Sequence, residues 1–304
     1  MTRVPIIVLA AWCASATMSG VAFADDEEPE AKPKEGDADA PKDTKGDEAP
    51  PAGDVAATGK TVARMTMPGG KILLNAIVES NLAKGAAGKP FSIAPDIWYG
   101  VSDKLTLGLV HSGRGQTGFL TGAGRGLCFG DKEGVCALGL GKIYTSVGAE
   151  ARIGLTEGGF PIALAIGGIV EAFKPDLVAS SKVGFIGRLQ SSRIAIEIAP
   201  TVFAGLTQRK VEGVSINEDV FSMPVTLLLQ LSPSFALALQ SGVTLTIENA
   251  GDSYVVPAAA GLAVWITPKL SFDVAFGLAA VVDKDDMKKA FDDRSLTIGV
   301  GYGM

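Results

Sequence analysis

From about residue 71 onward, apolar residues recur at every second position of short segments. In residues 270–282 the even-numbered positions are large or apolar, whereas the odd-numbered positions are mostly Gly, Ala, Ser and Asp. A period of two predicts a β-strand whose two faces meet different environments. A large apolar face opposite a face of small and charged residues is typical of a strand with lipid outside and a polar or crowded interior. The pattern therefore predicts a sheet that crosses a membrane.

Twelve such segments follow one another along the chain. We predict strands at about residues 71–82, 91–102, 105–112, 142–155, 160–173, 182–190, 193–206, 219–231, 235–248, 253–266, 270–282 and 295–304. Short connections alternate strictly with longer ones, of which 113–141 is the longest. Outer-membrane barrels have short periplasmic turns and longer extracellular loops. The fold class is therefore all-β, an antiparallel up-and-down transmembrane β-barrel of about 12 strands, with both termini in the periplasm.

Aromatic residues and prolines refine this prediction. Outward aromatics fall near both ends of the strands, as membrane interfaces favour: Tyr99, Phe160, Phe235, Phe272 and Tyr302 near the short turns, and Phe91, Phe221 and Tyr254 near the long loops. Trp98 and Trp265 have inward parity instead.

Proline removes a ladder donor, so a closed barrel requires a bulge at each mid-strand proline. We expect such bulges at residues 95, 200, 224 and 257.

The N-terminal region supplies an export signal and a spacer. Residues 1–24 combine a basic start, an apolar stretch and an Ala-Phe-Ala cleavage site, and they predict a secretory signal peptide. Residues 25–68 form an acidic, Pro- and Ala-rich tail, which is predicted to be disordered because it has little apolar surface. The net charge of −6 reports this tail, and the remainder, residues 69–304, is close to neutral. Nothing in the charge balance indicates a nucleic-acid partner.

Residues 69–304 resemble the small outer-membrane β-barrels of Gram-negative bacteria, in the broad porin-like class. The resemblance rests on the turn Tyr-Gly-Val-Ser-Asp-Lys-Leu at 99–105 and on the closing strand at 296–304. The closing strand alternates Leu296, Ile298, Val300 and Tyr302 but ends in Met304, where the class has an aromatic residue. The resemblance implies location in the outer membrane, contact with its lipid, and recognition of the last strand by the barrel assembly machinery.

Motifs of enzymes and nucleotide-binding proteins are weak in this chain. Residues 113–118 match the spacing G-x-G-x-x-G, but dinucleotide binding requires a helix to open there, and the sequence predicts a glycine-rich loop. The single histidine, His111, is predicted to face lipid, with Ser112 pointing the opposite way, so no serine hydrolase site is indicated. We predict no catalytic residues, no cofactor and no metal.

The inward face carries the residues from which a function is predicted. Inward parity gathers eight charged candidates for lining a lumen and setting its selectivity: Glu79, Asp96, Glu150, Arg152, Glu171, Arg188, Glu197 and Asp273. Arg188 and Glu197 are expected to form a salt bridge across the turn that joins their strands, with Glu150 and Arg152 as a second cluster nearby. Many small residues lie around them, so twelve strands should leave a narrow passage. Pairing of the charges would instead close it.

Three functions remain open at this point. The first is a narrow pore or binding lumen for small solutes, without chemistry. The second is a non-transporting envelope or surface anchor that uses the acidic tail, and the third, less favoured, is an outer-membrane enzyme.

Cys128 and Cys136 lie in the longest loop, and because export leads to an oxidising compartment, we predict that they form a disulfide.

Overall fold

The structure is a computed structural model. It describes residues 64–304 except 84–85, 87, 123, 131–134, 192, 212–213, 216, 252 and 284–290. The predicted signal peptide, and the predicted tail as far as residue 63, lie outside the described residues. Within the described part of the chain, no helix is long and apolar enough to cross a bilayer.

Twelve antiparallel strands form one closed barrel, as the sequence predicts. They are β1 (Ile72–Asn81), β2 (Phe91–Ser102), β3 (Leu105–Val110), β4 (Val147–Thr156), β5 (Ile162–Ala172), β6 (Val178–Gln190), β7 (Ile194–Ile198 and Thr201–Gly205), β8 (Val220–Ser232), β9 (Phe235–Thr246), β10 (Tyr254–Thr267), β11 (Leu270–Asp283) and β12 (Arg294–Gly303). Each strand pairs with its neighbours in sequence, and β1 pairs with β12 to close the barrel. Closure leaves no open sheet edge, which a membrane-spanning sheet requires.

Shorter elements lie in the long connections. They are the α-helix α1 (Gly113–Thr117), a short strand on β2 (Leu127–Phe129), 3-10 turns at Val135–Leu138 and Ile247–Asn249, and a two-residue ladder between Lys210–Val211 and Val214–Ser215. The predicted strand ends at 112, 142 and 248 are wrong. β3 ends at Val110, where the chain turns inward, and β4 begins at Val147. β9 ends at Thr246, so Glu248 lies exposed in a 3-10 turn and not on the strand.

Side chains sort to the two faces of the barrel by the predicted parity. On β11, Phe276 is 44% exposed on the outside, whereas Ala275 beside it is 2% exposed. Ala280 contradicts the pattern, because its even position predicts an outward face but it is buried. The register between β10 and β11 shifts between Val256 and Ala258, opposite this part of β11, and such a bulge turns the following residues to the other face.

Of the four prolines, only Pro257 lies at a shift of register, as predicted. At Pro95 and Pro224 the pairing with β1 and β9 runs through without a shift, so the predicted bulges there are wrong. Pro200 interrupts β7, but the two parts of β7 keep a single register against β6 and β8. The barrel accommodates a missing donor by leaving a gap in the ladder, because the flanking pairs hold the alignment.

Candidate functional site in the lumen

The lumen is crossed by residues 111–122, which we call the inner segment. Directly after β3 the chain turns inward and forms α1, whose N-cap residue Ser112 accepts a hydrogen bond from Gly115 N at 2.6 Å through its hydroxyl. All five residues of α1 are buried. The prediction of a loop at the G-x-G-x-x-G spacing is therefore wrong, since a short helix opens there.

Carboxylates of the barrel wall occupy the start of this helix. Gly113 N donates to Glu79 Oε1 at 3.0 Å, and Ser112 donates through both N (2.9 Å) and Oγ (2.5 Å) to the two carboxylate oxygens of Asp96. A negative group at a helix N-terminus is stabilising because the free N–H groups point toward it. The protein thus supplies its own anions at the position where a nucleotide-binding loop would hold phosphate.

His111 is buried and does not face lipid, so that prediction is wrong. Its backbone N donates to Asp96 Oδ1 at 2.7 Å, and its ring Nδ1 lies 2.5 Å from Pro95 O. Strand parity fails here because β3 ends one residue earlier, at Val110. The contacts of His111 tie the entry of the inner segment to β2.

The far end of the inner segment rests on a wall of small residues. Leu120 is 2% exposed and packs with Ala195, Leu228, Ala238 and Ala275. A side chain at Gly277 would collide with Thr121, and a Cβ at Gly242 would lie 2.7 Å from the Phe119 ring. These glycines are therefore required for the close approach of the inner segment.

Gln240 and Asp273 clamp the inner segment to this wall. The Gln240 side-chain amide accepts from Leu120 N at 2.5 Å and donates to Gly118 O at 2.9 Å. Asp273 forms an ion pair with Arg114 of α1 at 2.5 Å, and both side chains are largely buried. Arg114 was not predicted as a site residue, because its role depends on the folding of a loop without strand parity.

The opposite part of the wall carries a cluster of paired charges. Glu150 accepts from Arg152 Nε at 2.6 Å and also binds Lys182 Nζ, and Lys182 in turn donates to Gln116 O of α1 at 2.8 Å. Lys182 reaches Glu150 across Gly167, which lies between them in register and has no side chain. Sequence reasoning missed Lys182, although it shares the parity of Arg188.

Trp98 extends this cluster toward the short-turn end. It lies opposite Gly108 in register, and its ring covers that glycine. The Arg152 guanidinium lies 4.0 Å from the centre of the Trp98 ring, a cation–π arrangement. The inward parity predicted for this tryptophan agrees with its 1% exposure.

The remaining predicted lumen residues also lie in polar contacts. Arg188 and Glu197 are directly opposite in register and bind each other at 2.7 Å, as the predicted salt bridge requires. Glu171 accepts from Ser180 Oγ at 2.9 Å. The structure thus brings Glu150 and Arg152 together and joins Arg188 to Glu197, whereas Glu79, Asp96 and Asp273 bind the inner segment. Whether any of them sets selectivity stays a prediction.

Residues 64–70 lie across the short-turn mouth of the barrel, and we call them the strap. The Arg64 side chain forms ion pairs with Asp103 at 2.8 Å and with Glu157 at 3.4 Å. Two backbone groups of the strap also bind the barrel: Met67 N donates to Thr106 Oγ1 at 2.7 Å, and Gly69 N donates to Asp103 Oδ1 at 3.0 Å. The hydrogen bonds from Gly69 N and Arg64 to its carboxylate hold the pKa of Asp103, in the turn after β2, below its usual range. Residues 64–68 were predicted to belong to the disordered tail, but here they pack against the barrel.

The long loop that follows the inner segment is closed by a cross-link. Cys128 and Cys136 form a disulfide with a Cα–Cα distance of 5.4 Å. Phe129 beside it stacks on Phe91 of β2, with 5.1 Å between ring centres. Among the described residues, no group of three or more His, Cys, Asp or Glu is placed to hold a metal ion.

Comparison with known proteins gives similarity at the level of structure. No family model matches the chain, and no curated protein matches it by sequence. The NanC porin structure is similar over 75% of this chain and 98% of its own length, with a TM-score of 0.51 and 10% identity. The KdgM porin in complex with disordered oligogalacturonate covers 76% of this chain and 98% of its own length, with a TM-score of 0.49 and 8% identity. The chain thus has the fold of a small porin-like outer-membrane barrel.

Proposed function

We propose that the barrel passes small polar solutes across the outer membrane through a narrow lumen, without chemistry of its own. The observation that carries this proposal is the wall of β1–β7, which keeps buried charges of both signs beside the inner segment. Buried ion pairs contribute little net stability compared with apolar packing. A barrel that served only as a structural element would gain more from an apolar filling.

The path of the solute follows from the position of the inner segment. The segment covers the small residues of β8–β11, where Leu120 is packed against Ala238 and Ala275. The proposed passage runs along the opposite wall, past Glu150, Arg152 and Lys182, the last of which also contacts Gln116 O of the segment. Rings of charge at a constriction control which ions pass, so these residues and the pair of Arg188 and Glu197 are the proposed selectivity determinants.

The proposed orientation places both termini in the periplasm. The described N-terminal and C-terminal residues meet at the short-turn end, where Ile72 N donates to Met304 O at 3.1 Å and Met304 N to Ile72 O at 2.8 Å. Short turns are periplasmic in outer-membrane barrels. This proposal includes the predicted signal peptide and a periplasmic position of the acidic tail. It also includes outer-membrane lipid as a partner and recognition of β12 by the assembly machinery.

Single-channel recording in planar bilayers tests the function. The wild-type protein should give small, discrete conductance steps, and Arg152→Gln with Arg188→Gln should shift the reversal potential in a salt gradient toward cations, because Glu79, Asp96, Glu197 and Asp273 remain. Arg209→Gln is the matched control, since Arg209 pairs with Asp219 outside the barrel strands. An unchanged reversal potential in a folded double variant would remove both arginines from the proposed role.

The anchor remains the second candidate, because both the middle and one mouth of the lumen are occupied. The strap covers the short-turn mouth, and the cavity beneath it measures only about 20 Å³. Wild-type barrels that insert into the bilayer, shift on an unboiled SDS gel and never conduct would favour the anchor. They would also overturn the proposed pore.

A further inference from the structure

The cavity beneath the strap is rich in hydrogen-bond donors. Arg64, Arg152, Arg188 and Trp98 line it, together with Met65, Thr66, Met67, Leu73 and Thr106. None of these described lining residues carries a carboxylate. Each guanidinium has five N–H donors and no acceptor, and Arg64 Nε makes no hydrogen bond within the protein.

The two threonines do not balance these donors. Thr106 Oγ1 already accepts from Met67 N at 2.7 Å, and Thr66 Oγ1 already donates to Asp103 O at 2.6 Å. Both hydroxyl oxygens keep some acceptor capacity, but neither carries a negative charge. What the cavity lacks on its protein side is a negative or strongly accepting group.

Trp98 gives an independent indication of the same kind. Its side chain is 1% exposed, and its indole Nε1–H has no hydrogen-bond partner in the protein. Leaving a buried donor without an acceptor costs about 1–3 kcal/mol. Buried tryptophans usually satisfy this N–H, so an unpartnered one in the wall of a donor-lined cavity indicates an acceptor that is not part of the chain.

We propose that this cavity binds a small monovalent anion, either a halide or a short carboxylate such as formate. Its volume of about 20 Å³ exceeds the roughly 10–15 Å³ that one water-sized group needs. A small monovalent anion matches this size better than a bulky polyatomic one. Charge-assisted hydrogen bonds from guanidinium groups hold such a ligand more strongly than they hold neutral water.

The anion site exists only while the strap is docked. Arg64 comes from the strap, whereas Arg152, Arg188 and Trp98 come from β4, β6 and β2. A bound anion therefore bridges the strap and the barrel and stabilises the closed short-turn mouth. Because the ligand stabilises only the docked form, its concentration controls the closure of this mouth. This inference does not rest on solute passage.

Tryptophan fluorescence of the mature protein in detergent tests the proposal. A Trp265→Phe background leaves Trp98 as the reporter, since Trp12 lies in the predicted signal peptide. Sodium chloride and sodium formate, each at ionic strength matched with sodium sulfate, should give a saturable change in Trp98 emission that sulfate alone does not give. Arg64→Gln should raise the half-saturating anion concentration about tenfold, which is the effect of one lost charge-assisted hydrogen bond. Arg209→Gln should leave this concentration unchanged.

A second measurement separates a specific site from general salt effects. The line width of the chloride NMR signal should broaden with the wild-type barrel and narrow toward the free-ion value with Trp98→Phe, which keeps a ring over Gly108 but removes the N–H. A response linear in salt, equal for chloride, formate and sulfate, would overturn the proposal. So would a saturable response that Arg64→Gln and Trp98→Phe leave unaltered in folded barrels.

Discussion

The two halves of the barrel wall hold the inner segment in different ways. The charged half, β1–β7, binds it through Glu79, Asp96 and Lys182, which contact the backbone or the cap of α1. The small-residue half, β8–β12, combines close packing on alanines and glycines with the hydrogen bonds of Gln240 and the ion pair of Asp273. The charged half thus fixes the start of the segment by directional bonds, and the small-residue half fixes its far end by shape as well as by directional bonds.

In the proposed pore, the small-residue half sets the opening of the lumen and the charged half sets its ion preference. On the small-residue half, the segment replaces the side chains that glycine and alanine lack, so packing there decides how much of the lumen is filled. Asp273 is an exception, because it contributes a charge, but it binds Arg114 of the segment. On the charged half, paired side chains remain beside the segment and decide the local potential.

Loss of Lys182 is expected to have the largest effect on the stability of the charged half. Lys182→Met leaves Glu150 with one fewer buried cation and removes the bond to Gln116 O, so we expect a loss of about 3 kcal/mol in the free energy of unfolding. Urea unfolding in lipid vesicles, followed by tryptophan fluorescence, measures this loss. Lys104→Met in an exposed turn is the control, and Glu150→Gln added to Lys182→Met should restore part of the loss. A cost equal to that of the control would show that the cluster does not hold the segment.

The disulfide is expected to have a smaller effect, confined to the loop above the inner segment. Closing a loop between Cys128 and Cys136 contributes about 2–3 kcal/mol in the chain-entropy model. Mature protein, unfolded without reductant, should show no alkylatable thiol by mass spectrometry, and reduction should expose two. Two reactive thiols before reduction would contradict the disulfide.

The sequence predicts the small-residue half better than the inner segment that lies on it. The strand predicted at 270–282 differs from β11, Leu270–Asp283, by a single residue, because parity is a local signal. The inner segment has no such period: Leu120 is placed by Gln240, which lies 120 residues away in the sequence. Lys182 was predictable only in part. Its parity indicates an inward position, but its pairing with Glu150 depends on the register of three strands, which the sequence does not indicate.

The smallest predicted effect concerns the strap, which lies outside both halves. The pKa of the Asp103 carboxyl is lowered by its hydrogen bonds to Gly69 N and Arg64. A group with a lowered pKa stabilises the docked form above its unfolded pKa of about 3.9, and this contribution is lost as the pH falls through the lower, docked value. Cleavage within the strap by a limiting amount of pepsin, which is active in acid, should therefore be faster at pH about 3 than at pH about 5, after correction for its rate on an unfolded substrate. Asp103→Asn should show the increased cleavage already at the higher pH, and equal protection of both proteins at both pH values would contradict the role of Asp103.

In the proposed pore, the inner segment, seated on the small-residue half, narrows the lumen. Single-channel conductance of Gly277→Leu tests it directly, because a side chain at Gly277 collides with Thr121 and should displace the segment. The matched control is Gly168→Leu, where the nearest atom to a new Cβ is 3.6 Å away. We expect a severalfold larger conductance step for Gly277→Leu than for wild type and no change for the control. Equal steps in all three folded barrels would contradict it.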